Sequence, residues 1–218
     1  MLWSMTTDPS PYLFWITSRA AGFAALVLAS LAVSFGLVMS TKLLKGRTTE
    51  LRTAHDTLAL ATIVAIVVHG VALLFDTYVH YSILDIAVPF LSSYKTLWTS
   101  IGIVAGWGLT LLGLSYYARR WVGAVRWRKL HRFIAVAWLA GLVHSLGEGT
   151  DAGQVWFLAM VALVAVPALG LLVTRLSRSA EAAGPAPPTA EPQISKKRPS
   201  GPTLTTGVVP ITASRPQH

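Results

Sequence analysis

The chain has 218 residues, of which 53% are apolar or aromatic and only 12% are charged. A water-soluble domain usually carries about 25% charged residues, so a soluble globular fold is excluded. Zero cysteines exclude disulfide scaffolds, thiolate zinc sites, cysteine nucleophiles and iron–sulfur clusters. The net charge of +9 would suggest nucleic acid in a soluble chain; here its placement points to a membrane, and no nucleic-acid partner is expected.

Residues 1–10 are read as a short outer segment. Charge-free runs then cover Ala20–Thr41, Thr57–Phe75, Thr96–Ala118 and Ala152–Thr174. A bilayer needs roughly 20 mostly apolar residues per helix, and each run has about that length. The first is kept as a span rather than a cleavable leader, because its first positive charge is Arg19 and no basic segment precedes the apolar run. Ser82–Ser93, with Asp85 and Pro89, is too short to cross and reads as an interfacial or re-entrant loop. Between Arg132 and Glu148 lie only 15 uncharged residues. A helix begun at Arg128 gains one more turn, with Lys129 and Arg132 snorkelling to the interface, and this makes the fourth of five spans. Gly102–Gly106 on the third span matches G-x-x-x-G, which allows close helix approach within the chain or in a dimer. Leu176–His218 holds eight of the twelve prolines and is expected to be a disordered, basic, Pro-rich tail.

The basic residues sort by loop. Sixteen of eighteen lie after span one, between spans three and four, or at and beyond the end of span five, leaving Arg19 and Lys95 opposite. The positive-inside rule makes those regions cytoplasmic. The expectation is a multi-pass plasma-membrane protein with its N-terminus outside and its C-terminus in the cytoplasm.

Four of the six histidines carry the functional argument. His55 and His69 lie on span two, and His131 and His144 on span four. Ionisable side chains inside a span are costly and are usually functional. At about 1.5 Å per residue the first pair is separated by ~21 Å along the axis and the second by ~19.5 Å. Both spans run the same way, so His55 comes level with His131 near the inner face, and His69 with His144 near the outer face. Two levels of facing imidazoles suit haem iron, for which histidine is an axial ligand. Fourteen residues nearly complete four turns, whereas thirteen leave His144 about 140° from His131 on an ideal helix. Some distortion must close that difference, with Gly141 as the expected weak point. On span two, Ala59, Thr62 and Ala65 leave room on the same face, as does Gly70 beside His69. Trp138 either fills the space between the two levels or packs as an ordinary aromatic. His80, four residues beyond Asp76, is either an exposed interfacial residue or part of an acceptor site for a metal or quinone.

The pairs H-x13-H (His55, His69) and H-x12-H (His131, His144) resemble the haem-ligand spacing of the ferric reductase-like transmembrane domain. That family includes ferric reductases, NADPH oxidases and the haem subunit of the methionine-sulfoxide reductase system. The stretches WITSRAAG at Trp15–Gly22, KLHRFIAV at Lys129–Val136 and GLVHSLGEGTDAG at Gly141–Gly153 also look like bacterial members, and the likeness covers residues 11–175. It implies an all-α bundle of five transmembrane helices with two b-type haems, held by His55, His69, His131 and His144 as metal ligands. It also suggests that Arg19 pairs with an outer-haem propionate, against the alternative of an interfacial snorkelling arginine. Some relatives continue into flavin and nicotinamide modules. This chain carries no Gly-rich phosphate loop and no flavin or NAD(P)H domain, so its donor should be a separate flavoprotein or a quinol. The implied function is a haem-containing oxidoreductase component, with no catalytic side chain of its own. It would carry electrons to an outer-side acceptor such as ferric iron or a partner redox protein. The alternatives are a quinol-linked di-haem cytochrome resembling cytochrome b561, and, from a different class, a histidine-relay metal or proton transporter.

Overall fold

The computed structural model describes residues 12–41 and 46–182. Within them the chain is helical, with no strand. The helices are α1 (Leu13–Thr41), α2 (Thr48–Leu74), α3 (Ile83–Ala87), α4 (Thr96–Val122), α5 (Ala124–His131), α6 (Ile134–Glu148) and α7 (Val155–Ala182). Five helical stretches are long and apolar enough to cross a membrane, with Ala124–Glu148 forming the fourth. This is a multi-pass integral membrane protein by length and composition.

Packing follows the rules of a lipid solvent. Small residues are turned inward, among them Ala29, Ser30 and Ala168, while Val64, Leu111 and Leu163 are among the large side chains turned outward. With no hydrophobic gain to be had between helices in lipid, close contact of small residues is what holds them. The main pairings are α1 with α2, α4 with α6, and α1 with α7. One core cluster joins Leu26, Val33 and Leu37 of α1 to Trp138 and Leu142 of α6 and Phe157 and Val161 of α7. Trp138 is among the most buried side chains, and its Nε1–H donates to Ser30 Oγ at 3.0 Å. It therefore packs in the α1–α6–α7 core.

Three sequence expectations change. The fourth span is not one helix begun at Arg128: α5 ends at His131, turn residues follow at Arg132–Phe133, and α6 starts at Ile134. Gly123, with φ +87°, sets the corner before α5, a conformation that glycine adopts at little cost. Gly141 lies inside α6 and is not a break. The second change is at Ser82–Ser93, where the segment begins with the short helix α3. Ser82 caps it, its hydroxyl accepting from Asp85 N–H while the Asp85 carboxylate accepts from Ser82 N–H, a reciprocal capping box. Trp107 Nε1–H donates to the Ala87 carbonyl at 2.9 Å and ties this turn to α4. Third, α7 continues past Arg175 to Ala182. Leu176–Ala182 contains neither Gly nor Pro, and the first breakers are Gly184 and Pro185. The expected disorder of the remaining tail and the expected outer segment 1–10 lie outside the described residues.

Candidate metal centre

The four histidines assemble in two pairs. The His55 and His131 rings have centroids 6.3 Å apart at 83°, and those of His69 and His144 are 6.5 Å apart at 73°. Each pair joins one ring from α2 to one ring from the α5–α6 arm, at the two levels expected from the spacing. The phase mismatch between His131 and His144 is absorbed at Arg132–Phe133, immediately after the first of them.

What orients each ring was not legible as a site motif. Every Nδ1 meets a backbone carbonyl of a neighbouring helix: His55 with Ala32 O at 2.8 Å, His69 with Ser18 O at 2.8 Å, His144 with Trp98 O at 2.9 Å, and His131 with Leu112 O at 3.4 Å. A carbonyl can only accept, so these bonds require Nδ1 to carry the proton and leave the Nε2 lone pair for a ligand. Ser18 adds a second tie, its hydroxyl donating to the His69 carbonyl at 3.2 Å and lying 3.0 Å from Nδ1.

A further regularity explains how the rings get so close. Four residues after three of these carbonyls stands a glycine: Gly22 after Ser18, Gly36 after Ala32, and Gly102 after Trp98. A Cβ at Gly22 would stand 3.2 Å from His69 Nδ1, and one at Gly36 would stand 3.2 Å from His55 Cε1. At Gly102 it would stand 2.5 Å from His144 Cε1 and Nδ1, inside any real contact distance. Gly22 and Gly36 repeat the fourteen-residue spacing of His69 and His55 on the antiparallel partner helix, a signal that was available in the sequence. Gly102 of the G-x-x-x-G match thus serves a ring inside the chain. Gly106 faces Ile66 of α2, whose Cγ2 would lie 3.5 Å from a Cβ there.

Each facing pair of imidazoles is a donor set that could hold one metal between its two rings. Bonds from a first-row metal to imidazole nitrogen run about 2.0–2.1 Å and the nitrogen lies about 1.1 Å from the ring centroid, so two rings in line on one metal have centroids about 6.2–6.4 Å apart. The His55–His131 pair falls within that range at 6.3 Å, and the His69–His144 pair lies just beyond it at 6.5 Å. Between the levels on α2, Thr62 and Ala65 are buried, and the Thr62 hydroxyl is spent on Leu58 O. Among the described residues no group of three or more His, Cys, Asp or Glu side chains gathers as a metal cage, so the ligand chemistry on offer is two-coordinate from protein.

Arg19 follows Ser18, which holds the His69 ring, but has a carboxylate of its own. Its guanidinium forms an ion pair with Asp151 and lies over the Trp15 ring at 4.2 Å. At the same end Lys95 donates to the Glu148 and Gly147 carbonyls, closing the C-terminus of α6. Tyr81 packs edge-on against Tyr94, and burial, with the Glu148 charge next, pushes its phenol well above the usual range. Asp76 spends its carboxylate on the Tyr78 and Val79 N–H groups of its own turn. His80 is exposed in the left-handed region, and the Asp76 oxygens given to this turn do not build a site with it.

Comparison with protein families, with curated proteins and with solved structures gives no match.

Proposed function

We propose that the chain is the haem-bearing membrane subunit of an oxidoreductase, of the ferric reductase-like type. It would hold one b-type haem between His55 and His131 and another between His69 and His144. Bound haem iron supplies one-electron redox chemistry, and two such centres about 20 Å apart along the bundle would connect the two faces of the bilayer. The observation that carries this reading is the pairing itself: two imidazole pairs at matched separation, each ring with its Nδ1 on a carbonyl and its Nε2 left for a ligand. A relay of protons or metal ions would instead ask for carboxylates between the levels, and the stretch of α2 from Thr57 to Leu74 contains none.

The protein's own residues do three things here. The carbonyls of Ala32, Ser18 and Trp98 fix the tautomers and planes of three of the rings, and Leu112 O meets the fourth at the longer distance of 3.4 Å. Gly22, Gly36 and Gly102 admit the rings against the neighbouring helices. The basic ends of α4 and α5, with Arg119, Arg120, Arg126, Arg128 and Lys129, offer a surface that would attract an acidic donor protein and speed its encounter. On the positive-inside rule that surface is cytoplasmic, so the donor is a separate flavoprotein or a quinol on that side. The outer acceptor, such as ferric iron or a partner redox protein, lies beyond the net acidic loops. Purified in detergent, the full chain should be coloured and give a reduced-minus-oxidised spectrum of bis-histidine b-type haem. A colourless, folded protein that takes up no added haem would remove this reading.

A further inference from the structure

The four rings are not held alike. Three have a carbonyl within 2.8–2.9 Å and a glycine four residues after it, whereas His131 has Leu112 O at 3.4 Å and, at the corresponding position, Tyr116. The position that is a glycine beside the other three rings thus carries a side chain beside this one, and the carbonyl contact here is the longest of the four. His131 is also the last residue of α5, with a turn directly after it. By carbonyl geometry alone it is the loosest ligand of the set.

A different device stands in that place. The Trp127 indole is stacked on the His131 ring, with centroids 5.1 Å apart and planes at 29°. Trp127 is itself fixed on two sides. Its Nε1–H donates to Ser115 Oγ at 3.2 Å, and Tyr116 meets its ring edge-on at 5.8 Å. Tyr116 is clasped in turn: Arg119 lies 3.7 Å over its ring, and Arg52 donates to its hydroxyl at 2.9 Å. Arg52 sits one turn before His55 on α2, so the same tyrosine joins the helices that carry both members of this pair. Stacking of this kind constrains the ring plane while leaving Nε2 untouched.

Resting on the reading of His131 as a haem ligand, we propose that Trp127 is the positioning residue for that ligand. It sets the His131 plane in place of the glycine-backed carbonyl bond used at the other three histidines. The tyrosine that stands where the other three sites have glycine is the same residue that braces the replacement.

The test uses the full chain in detergent with haem content and low-spin ferric electron paramagnetic resonance as readouts. In the native chain two low-spin signals are expected. Trp127→Leu should shift or abolish one of them and leave the other unchanged, and His69→Ala in the same background should remove the signal that Trp127→Leu spares. Trp127→Phe keeps a stacking ring and should largely restore the native signal, and Ser115→Ala should give a smaller shift in the same signal. Two unperturbed signals in Trp127→Leu would overturn the inference while leaving the haem assignment standing. Equal disturbance of both signals would also overturn it, since a general loss of packing does not choose one ring. A native chain with no haem signal would overturn the assignment beneath it, and this inference with it.

Discussion

At Gly102 the structure leaves less room for a side chain than at either of the other two ring-facing glycines. A methyl group there would meet His144 Cε1 and Nδ1 at 2.5 Å, and that same Nδ1 is already tied to the Trp98 carbonyl one turn earlier on α4. Gly102→Ala is expected to cost about 1–3 kcal/mol, the usual cost of overpacking. If the proposed haems are bound, it should also release the one at the His69–His144 pair while sparing the one at the His55–His131 pair. Gly70 provides the comparison, because a Cβ there would meet nothing within 4 Å although it adjoins His69. Gly70→Ala should be neutral or stabilising by about 0.5–1 kcal/mol, as for an unobstructed helical glycine. Haem content and thermal unfolding of the two variants check the pair; equal effects would mean that the sites do not depend on these approaches. The histidines were legible because each is an expensive residue to place in a span. Their carbonyl partners were not, since every residue has a carbonyl and only the fold decides which one is near. Nor was the pairing of Arg19 with Asp151, which joins positions 132 residues apart.

Among the elements, the α5–α6 arm shows how local backbone solves a problem set by helical geometry. A thirteen-residue spacing on an unbroken helix would send His131 and His144 to different faces, and the turn at Arg132–Phe133 resets the phase between them. Sequence periodicity stated the conflict correctly but could not locate its relief, because no Gly or Pro marks the turn. Inserting one alanine between Trp138 and His144 should rotate His144 by about 100°. The outer pair would then be lost with the inner pair intact, and retention of both haems would show that α6 can unwind to compensate. The short helix α3 offers a test by pH. Hydrogen bonds from the Ser82 side chain and then its backbone hold the Asp85 carboxyl below its usual range. The sign follows from that depression: the cap is complete above the ordinary carboxylate range and is lost as the pH falls through the lowered value. The protection of the Ile83–Ala87 amides, taken relative to the intrinsic exchange rate at each pH, should fall on acidification, and Asp85→Asn should abolish that dependence.

For the molecule as a whole, five spans and their apolar runs could be read directly, since length and hydrophobicity are what a bilayer selects. The end of the last span could not, because charge was taken as the stop signal at Arg175 and the helix instead continues to Ala182, just before the first breakers. A chain ended after Ala182 should therefore insert and bind haem as the full chain does, whereas one ended at Arg175 removes the last turns of α7 and should be less stable. The two imidazole levels give the molecule its proposed purpose, and they stand or fall together with haem stoichiometry. The most direct measurement is haem b per chain in the purified full-length protein and in His69→Ala and His131→Ala. The account expects two haems in the native chain and one in each variant, with different low-spin signals remaining. A native value of none, or two haems retained in both variants, would contradict it.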